Sequence, residues 1–160
     1  MIEFAVRYAK VKHIIVCGHT NCAGCVGILA GTELGGVLDI WLSPLRIVRD
    51  AHKAELEAIA EGPDRAARLA ELSVEASTKT VLANKAVQQA IKERGLQVHA
   101  TIYATATGLL RDLGAGTGGL DVSSVVRDVQ RAPEQQPEIV AGNHGVLDFS
   151  SEGVANLIVR

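Results

Sequence analysis

The chain has 160 residues, a formal net charge of −2, 48% hydrophobic residues and 21% charged residues. These values are ordinary for a globular domain, and the small net charge gives no electrostatic reason to expect a nucleic acid or an anionic membrane as a partner. No apolar run approaches the roughly 20 residues of a membrane-spanning helix. Three clustered cysteines, an odd number, indicate metal or redox chemistry in a reducing compartment, so an intracellular and most simply cytoplasmic location is predicted, with organellar targeting left open.

The first elements are predicted from the spacing of apolar residues. Residues 1–10 have the spacing of a helix, which begins at Met1 without a capping residue; this abrupt start predicts that an upstream part is missing. Residues 13–17 are short, apolar and β-branched, which indicates a buried strand. A loop over 18–21 and a helix over 22–30 follow.

The later elements alternate long helices with short strands. Helices are predicted over 38–42, 45–59 and 65–94, and strands over 98–103 and 109–113. Pro44 is placed near a helix start, Gly95 is placed as a helix-ending residue, and Trp41 is interpreted as a packing anchor. Strands separated by helices predict an α/β fold with three α/β/α layers and a mainly parallel sheet.

The domain is predicted to end near residue 114, where the composition changes. Residues 115–160 are rich in Gly, Ser, Pro and Gln, and are interpreted as a variable, partly disordered extension with one helix near 122–130. Gly114 to Gly119 form a G-x-G-x-x-G motif, which in dinucleotide-binding proteins opens a helix at the phosphates. The helix here is expected to start later, so a flexible connector is favoured over a nucleotide site.

The most informative segment is Cys17-Gly-His-Thr-Asn-Cys-Ala-Gly-Cys25, where a strand ends and a helix begins. Ligands in open α/β sheets usually bind at such a position. An imidazole from His19 and a thiolate from Cys22 suit zinc, and the dipole of a helix beginning at Cys22 would favour the thiolate. The pair alone is a weak signal, because a structural histidine beside a buried cysteine gives the same pattern.

The other two cysteines leave further interpretations open. Cys25 is the better substitute for a third ligand, because Cys17 is expected to point into strand packing. Cys22-Ala-Gly-Cys25 also fits the C-x-x-C pattern of redox proteins.

The residues around this segment resemble the β-class carbonic anhydrases. The segment from Val11 to Gly24 resembles that family's second zinc-ligand segment, and further matches run through residues 1–114 in the family's order. These matches are Ile2-Glu-Phe-Ala-Val6, Leu38-Asp-Ile-Trp-Leu42, Arg49-Asp-Ala-His52, Glu71-Leu-Ser-Val74, Gly95-Leu-Gln-Val-His99 and Gly108-Leu-Leu-Arg-Asp-Leu113.

The resemblance implies a fold, a reaction and a set of partners. It implies a truncated β-carbonic anhydrase fold and a homo-oligomer that uses Zn²⁺ to convert carbon dioxide reversibly to bicarbonate, with His19 and Cys22 as metal ligands. The family's first ligand lies in an upstream Cys-x-Asp-Ser-Arg motif that these 160 residues do not contain. An inactive, truncated homologue that serves only as an interaction module is therefore the main alternative.

Overall fold

The structure is a computed structural model, and it describes residues 1–33 and 35–118 together with two strands nearer the end of the chain. The chain divides into two units, Met1–Val122 and Ser123–Arg160. The helix predicted near 122–130 lies outside the described residues. None of the helices that are described is long and apolar enough to cross a membrane.

The first unit contains six helices and three strands within its described residues. In chain order they are α1 (Ile2–Arg7), β1 (His13–His19), α2 (Ala23–Leu29), α3 (Gly36–Ala51), α4 (Lys53–Glu57), α5 (Pro63–Ala83), α6 (Lys85–Arg94), β2 (Gln97–Ala104) and β3 (Leu109–Asp112). In the second unit, β4 (Val146–Phe149) pairs with β5 (Ala155–Ile158) in antiparallel orientation.

The sheet of the first unit has the order β1-β2-β3. The pair β1 and β2 is parallel, with His13 opposite Gln97 and His19 opposite Tyr103, whereas β2 and β3 are antiparallel. All three predicted strands are present, and the predicted α/β class is confirmed. The prediction of a strand buried throughout is wrong for β1, because its residues alternate between exposed and half-buried.

The helices cover the sheet face to which the even-numbered residues of β1 point. In the parallel register Val16 lies opposite Ala100 and Gly18 lies opposite Ile102, and α5 packs on these residues. The buried core divides into two clusters along this face. The first contains Ile28, Leu56, Leu69, Leu72, Val74 and Ile102, and the second contains Val6, Val81, Val87, Leu96 and Val98.

Three predicted helix boundaries are wrong. The helix expected over 45–59 is divided at His52, where α3 ends and α4 begins. The break expected at Pro44 is absent, because α3 continues through the proline and the Ser43 hydroxyl donates to the Ile40 carbonyl that the proline nitrogen cannot reach, at 2.8 Å. The single helix expected over 65–94 is two helices. Asn84 is extended and its side-chain oxygen accepts from the backbone N–H of Ala86 at 2.9 Å, so it caps α6 and ends α5.

The glycine-rich segment after β3 lies against β2 rather than opening a helix. The backbone N–H of Thr117 donates to the Val98 carbonyl at 2.9 Å, and the Val98 N–H donates to the Thr117 hydroxyl at 2.8 Å. A Cβ on Gly116 would lie 2.0 Å from the Val98 carbonyl oxygen, so only glycine fits there. This part of the segment is tied to the sheet, so the prediction of a free connector is wrong as far as residue 118.

Candidate metal centre

His19 is the last residue of β1, and the following loop leads directly to α2. The predicted loop over 18–21 is therefore shorter than expected, because Gly18 and His19 still pair with β2. Since β1 and β2 are parallel, their carboxyl ends lie at the same edge of the sheet. His19 thus stands beside the residues that follow β2.

The loop is held by hydrogen bonds to the end of β2 and to Thr105 directly after it. The Thr20 N–H donates to the Tyr103 carbonyl at 2.9 Å, and the Thr105 N–H donates to the Thr20 hydroxyl at 3.0 Å. The Asn21 amide donates to the Thr105 hydroxyl at 2.9 Å. Asn21 has a φ of 56°, a left-handed conformation that asparagine tolerates better than most residues. These bonds fix the conformation of the loop between His19 and Cys22.

Thr105 is a positioning residue that the sequence interpretation missed. Its signal was present, because polar Thr105 and Thr107 follow directly after a buried strand. In a parallel sheet such residues lie at the same edge as the residues that follow the neighbouring strand.

The imidazole of His19 is oriented by the loop itself. Its Nδ1 lies 2.9 Å from the Thr20 carbonyl oxygen, so Nδ1 carries the hydrogen and donates it. When the ring is uncharged its lone pair is therefore on Nε2, which forms no hydrogen bond with any described residue. Histidines that bind metals usually have this arrangement. One ring nitrogen donates a hydrogen bond, and the lone pair of the other nitrogen is available to the metal.

Cys22 and Cys25 lie together at the start of α2. Cys22 is the N-cap residue and is half-buried, whereas Cys25 lies in the first turn and is buried. Burial, and secondly the neighbouring Cys22, raises the pKa of the Cys25 thiol to about 12. Cys25 is therefore a protonated thiol near neutral pH.

Cys17 does not point into the core, and that expectation is wrong. Odd-numbered residues of β1 point away from α5, so Cys17 is exposed, like His19 two positions later. Its thiol donates to the neighbouring Gly18 carbonyl at 3.3 Å.

The donor atoms of His19 and Cys22 fit zinc in kind, because imidazole nitrogen and thiolate sulfur are among its preferred ligands. A catalytic zinc site has three protein ligands. The described residues contain no group of three or more His, Cys, Asp or Glu side chains placed to hold one ion. A complete site would therefore need at least one ligand beyond this pair.

A cavity of about 480 Å³ adjoins the loop at Asn21. Its wall next to α2 is formed by Val26, Leu29 and Ala30, and the opposite wall by residues at the start of α5. The side chains beside the loop are apolar, whereas the opposite wall includes the charged residues Glu61 and Arg65.

Comparisons with known proteins agree on one family. The family model described as carbonic anhydrase matches residues 1–110. A carbonic anhydrase of Emericella nidulans is 39% identical over 132 residues, which are 82% of this chain and 55% of that protein. The chain thus spans about half the length of that curated relative.

Solved structures give the same result. One of two tetrameric β-carbonic anhydrases from Sordaria macrospora is 46% identical, with a TM-score of 0.71 over 73% of this chain and 59% of that one. The β-carbonic anhydrase CafA of Aspergillus fumigatus is 42% identical, with a TM-score of 0.68 over 81% of this chain and 60% of that one. With a family match over more than half of its residues, the chain belongs to the β-carbonic anhydrases.

Proposed function

We propose that this chain supplies His19 and Cys22 as zinc ligands in a carbonic anhydrase that converts carbon dioxide reversibly to bicarbonate. The observation that carries the proposal is their position, three residues apart at the carboxyl end of β1 and inside the range 1–110 that matches the family. Zinc bound there would supply a Lewis acid that makes water nucleophilic near neutral pH.

Each neighbouring residue has a defined task in this proposal. The Thr20 carbonyl holds the His19 ring with Nε2 available, and Thr105 holds the loop that joins the two ligands. The apolar wall formed by Val26 and Leu29 suits carbon dioxide, which is uncharged, better than it suits bicarbonate.

The remaining ligand and the oligomer also belong to the proposal. A third protein ligand would come from outside the described residues, and a homo-oligomer is proposed because the Sordaria macrospora relatives are described as tetrameric. A reducing compartment would keep the three thiols free, which suits a thiolate ligand.

The experiment compares three single variants of the full chain with the unchanged protein. His19→Ala and Cys22→Ser should each lose at least tenfold in bound zinc and in the rate of carbon dioxide hydration, since each removes a ligand. Cys17→Ser is the matched control, because it removes an exposed thiol on the same segment and should change neither quantity. Equal zinc content in all four proteins would refute the ligand assignment.

A second candidate is an interaction module without catalysis, and the surface of α3 favours it. Val37, Ile40, Trp41 and Ile47 are each at least 69% exposed, which is unusual for large apolar side chains so close together. A chain that associates with itself but neither binds zinc nor hydrates carbon dioxide would support this candidate against the first.

A further inference from the structure

The two cysteines at the start of α2 are placed to react with each other. Cys22 is the N-cap and Cys25 is the third residue of the helix, and side chains at these two positions face each other, as they do in a capping box. Cys22 packs against the buried cluster that contains Cys25, and its side chain lies close enough to raise the pKa of the Cys25 thiol. The Cys22 sulfur lies 3.7 Å from the position that a Cβ on Gly24 would occupy, so it is folded over the first helical turn.

Their unequal exposure sets the order in which they would react. Cys22 is half-buried and accessible to a small molecule, whereas Cys25 is only 3% exposed. Of these two thiols, Cys22 therefore reacts first with a reagent from solution, and Cys25 can react only with the modified Cys22. This arrangement favours an internal bridge over a bridge to another protein.

A bridge here would be easily reversed. Side chains three positions apart on a helical turn have Cβ atoms about 5–6 Å apart, whereas a disulfide needs about 3.5–4.5 Å. Closing the bridge must therefore tighten the first turn by roughly 1–2 Å, and strained disulfides are the readily reduced ones.

We propose that Cys22 and Cys25 form a reversible disulfide in the presence of a small-molecule disulfide, and that the bridge withdraws Cys22 from the metal. The first half stands on the positions of the two side chains in the first turn of α2 and on their packing in one cluster. The second half rests on the proposed function, because it requires Cys22 to be a zinc ligand.

The reaction balances as two successive thiol–disulfide exchanges. The Cys22 thiolate attacks one sulfur of the small disulfide, the S–S bond breaks, and the released thiolate takes up the proton that Cys22 lost. Cys25 then loses its proton and attacks the Cys22 sulfur, which releases the second small thiolate to take up that proton. Two protein thiols are oxidised to one disulfide, and one small disulfide is reduced to two thiols.

The test uses the reduced full chain, oxidised glutathione and mass spectrometry after alkylation of the remaining thiols. The internal bridge should remove two of the three free thiols and the mass of two hydrogens, any adduct on the exposed Cys17 would add the mass of one bound glutathione, and dithiothreitol should restore all three thiols. Cys17→Ser should show the same loss and retain no alkylatable thiol. Cys25→Ser should carry a glutathione adduct without any internal bridge.

The outcomes separate the two halves of the proposal. Glutathione adducts on both Cys22 and Cys25 of Cys17→Ser, or two thiols that stay free, would overturn the disulfide. Zinc release, followed with a coloured chelator, should parallel bridge formation; a bridge that forms while zinc stays bound would overturn the withdrawal of Cys22. A zinc-free protein that forms the bridge would refute the proposed function and the metal half, and would uphold the disulfide.

Discussion

Gly18 determines how closely α5 approaches the sheet beside the candidate site. A Cβ at this position would lie 2.6 Å from Val74 Cγ2 and 2.9 Å from Ile102 Cδ1, both shorter than any ordinary contact. Both neighbours belong to the buried core, which is densely packed and yields little. The glycine between Cys17 and His19 is thus required by packing, one residue away from the proposed ligand.

Gly18→Ala is expected to lower the free energy of unfolding by roughly 1–3 kcal/mol, the usual cost of forcing extra volume into a packed core. Gly27→Ala is the matched control, because nothing lies within 4 Å of a Cβ there and alanine favours a helix. Urea unfolding followed by circular dichroism measures both. Equal stability of the two variants would contradict this account of Gly18.

Thr105 provides a second prediction at the residue scale. Thr105→Val keeps the shape of the side chain but removes the hydroxyl bonded to Thr20 and Asn21, so zinc affinity should fall roughly tenfold, as for other residues that orient metal ligands. Competition with a chromogenic chelator measures the affinity. Thr107→Val, two residues further along the chain, should leave it unchanged; a matching loss in that variant would assign the effect to general destabilisation.

The residue types of the site could be predicted from the sequence, but their supports could not. His19 and Cys22 are read from their spacing, and their role as ligands stays a prediction. Thr105 lies 86 positions from His19, and only the parallel pairing of β1 with β2 brings it beside the loop. Sequence spacing carries no direct record of such long-range contacts.

At the scale of elements, charged side chains connect α4, α5 and β3. Arg68 contacts Glu55 at 2.6 Å, Glu71 at 2.9 Å and Glu75 at 3.2 Å, and Glu71 also pairs with Arg111 on β3. The hydrogen bond from Arg68, and secondly that from His52, lowers the pKa of the Glu55 carboxyl below its ordinary 4.5. Its charged form is therefore stabilised in the folded protein.

This shift gives a pH dependence with a definite sign. A carboxyl whose pKa is lower in the folded than in the unfolded state stabilises the protein above the unfolded value, and the contribution is lost as the pH falls through the folded value. Glu55→Gln should therefore unfold at a lower urea concentration than the unchanged protein at about pH 6. The difference between the two urea midpoints should become smaller below about pH 4.

Glu57→Gln on the same helix is the control for this measurement. Its carboxylate contacts only the exposed Lys53 ammonium among the described ion pairs, at 3.7 Å, so the change should be nearly neutral at both pH values. A difference in urea midpoint between Glu55→Gln and the unchanged protein that becomes larger in acid would contradict the expected pH dependence.

Element types were predictable because apolar periodicity follows burial, but the helix boundaries at Asn84 and around Pro44 were not. Asn84 lies within a continuous helical pattern of apolar residues, so the pattern predicts one helix. The side-chain hydrogen bond of Asn84 divides that helix, and the pattern does not show this bond. Pro44 normally breaks a helix, and here Ser43 satisfies the carbonyl that it leaves free.

At the scale of the whole molecule, the apolar surface of α3 formed by Val37, Ile40, Trp41 and Ile47 is exposed in this chain. The sequence interpretation placed Trp41 as a packing anchor, but in this chain its side chain is 73% exposed. Amphipathic spacing identifies an apolar face without telling whether the same chain or another one covers it. We expect another copy to cover it.

The chain should therefore sediment as a dimer or a larger species. Trp41 is its single tryptophan, so its fluorescence should shift to shorter wavelength as the protein concentration rises and association buries the ring. Trp41→Glu should give the smaller species in analytical ultracentrifugation, because a buried unpaired charge is unfavourable, whereas Lys79→Glu on α5 should not. A monomer at every concentration would contradict this expectation.

Cobalt(II) substituted for zinc can show whether Cys22 and His19 bind one metal ion. We expect a thiolate-to-cobalt absorption band in the unchanged protein and in Cys17→Ser, its loss in Cys22→Ser, and weakened cobalt binding in His19→Ala. A thiolate band of full strength in Cys22→Ser, or none in any of the proteins, would contradict this expectation.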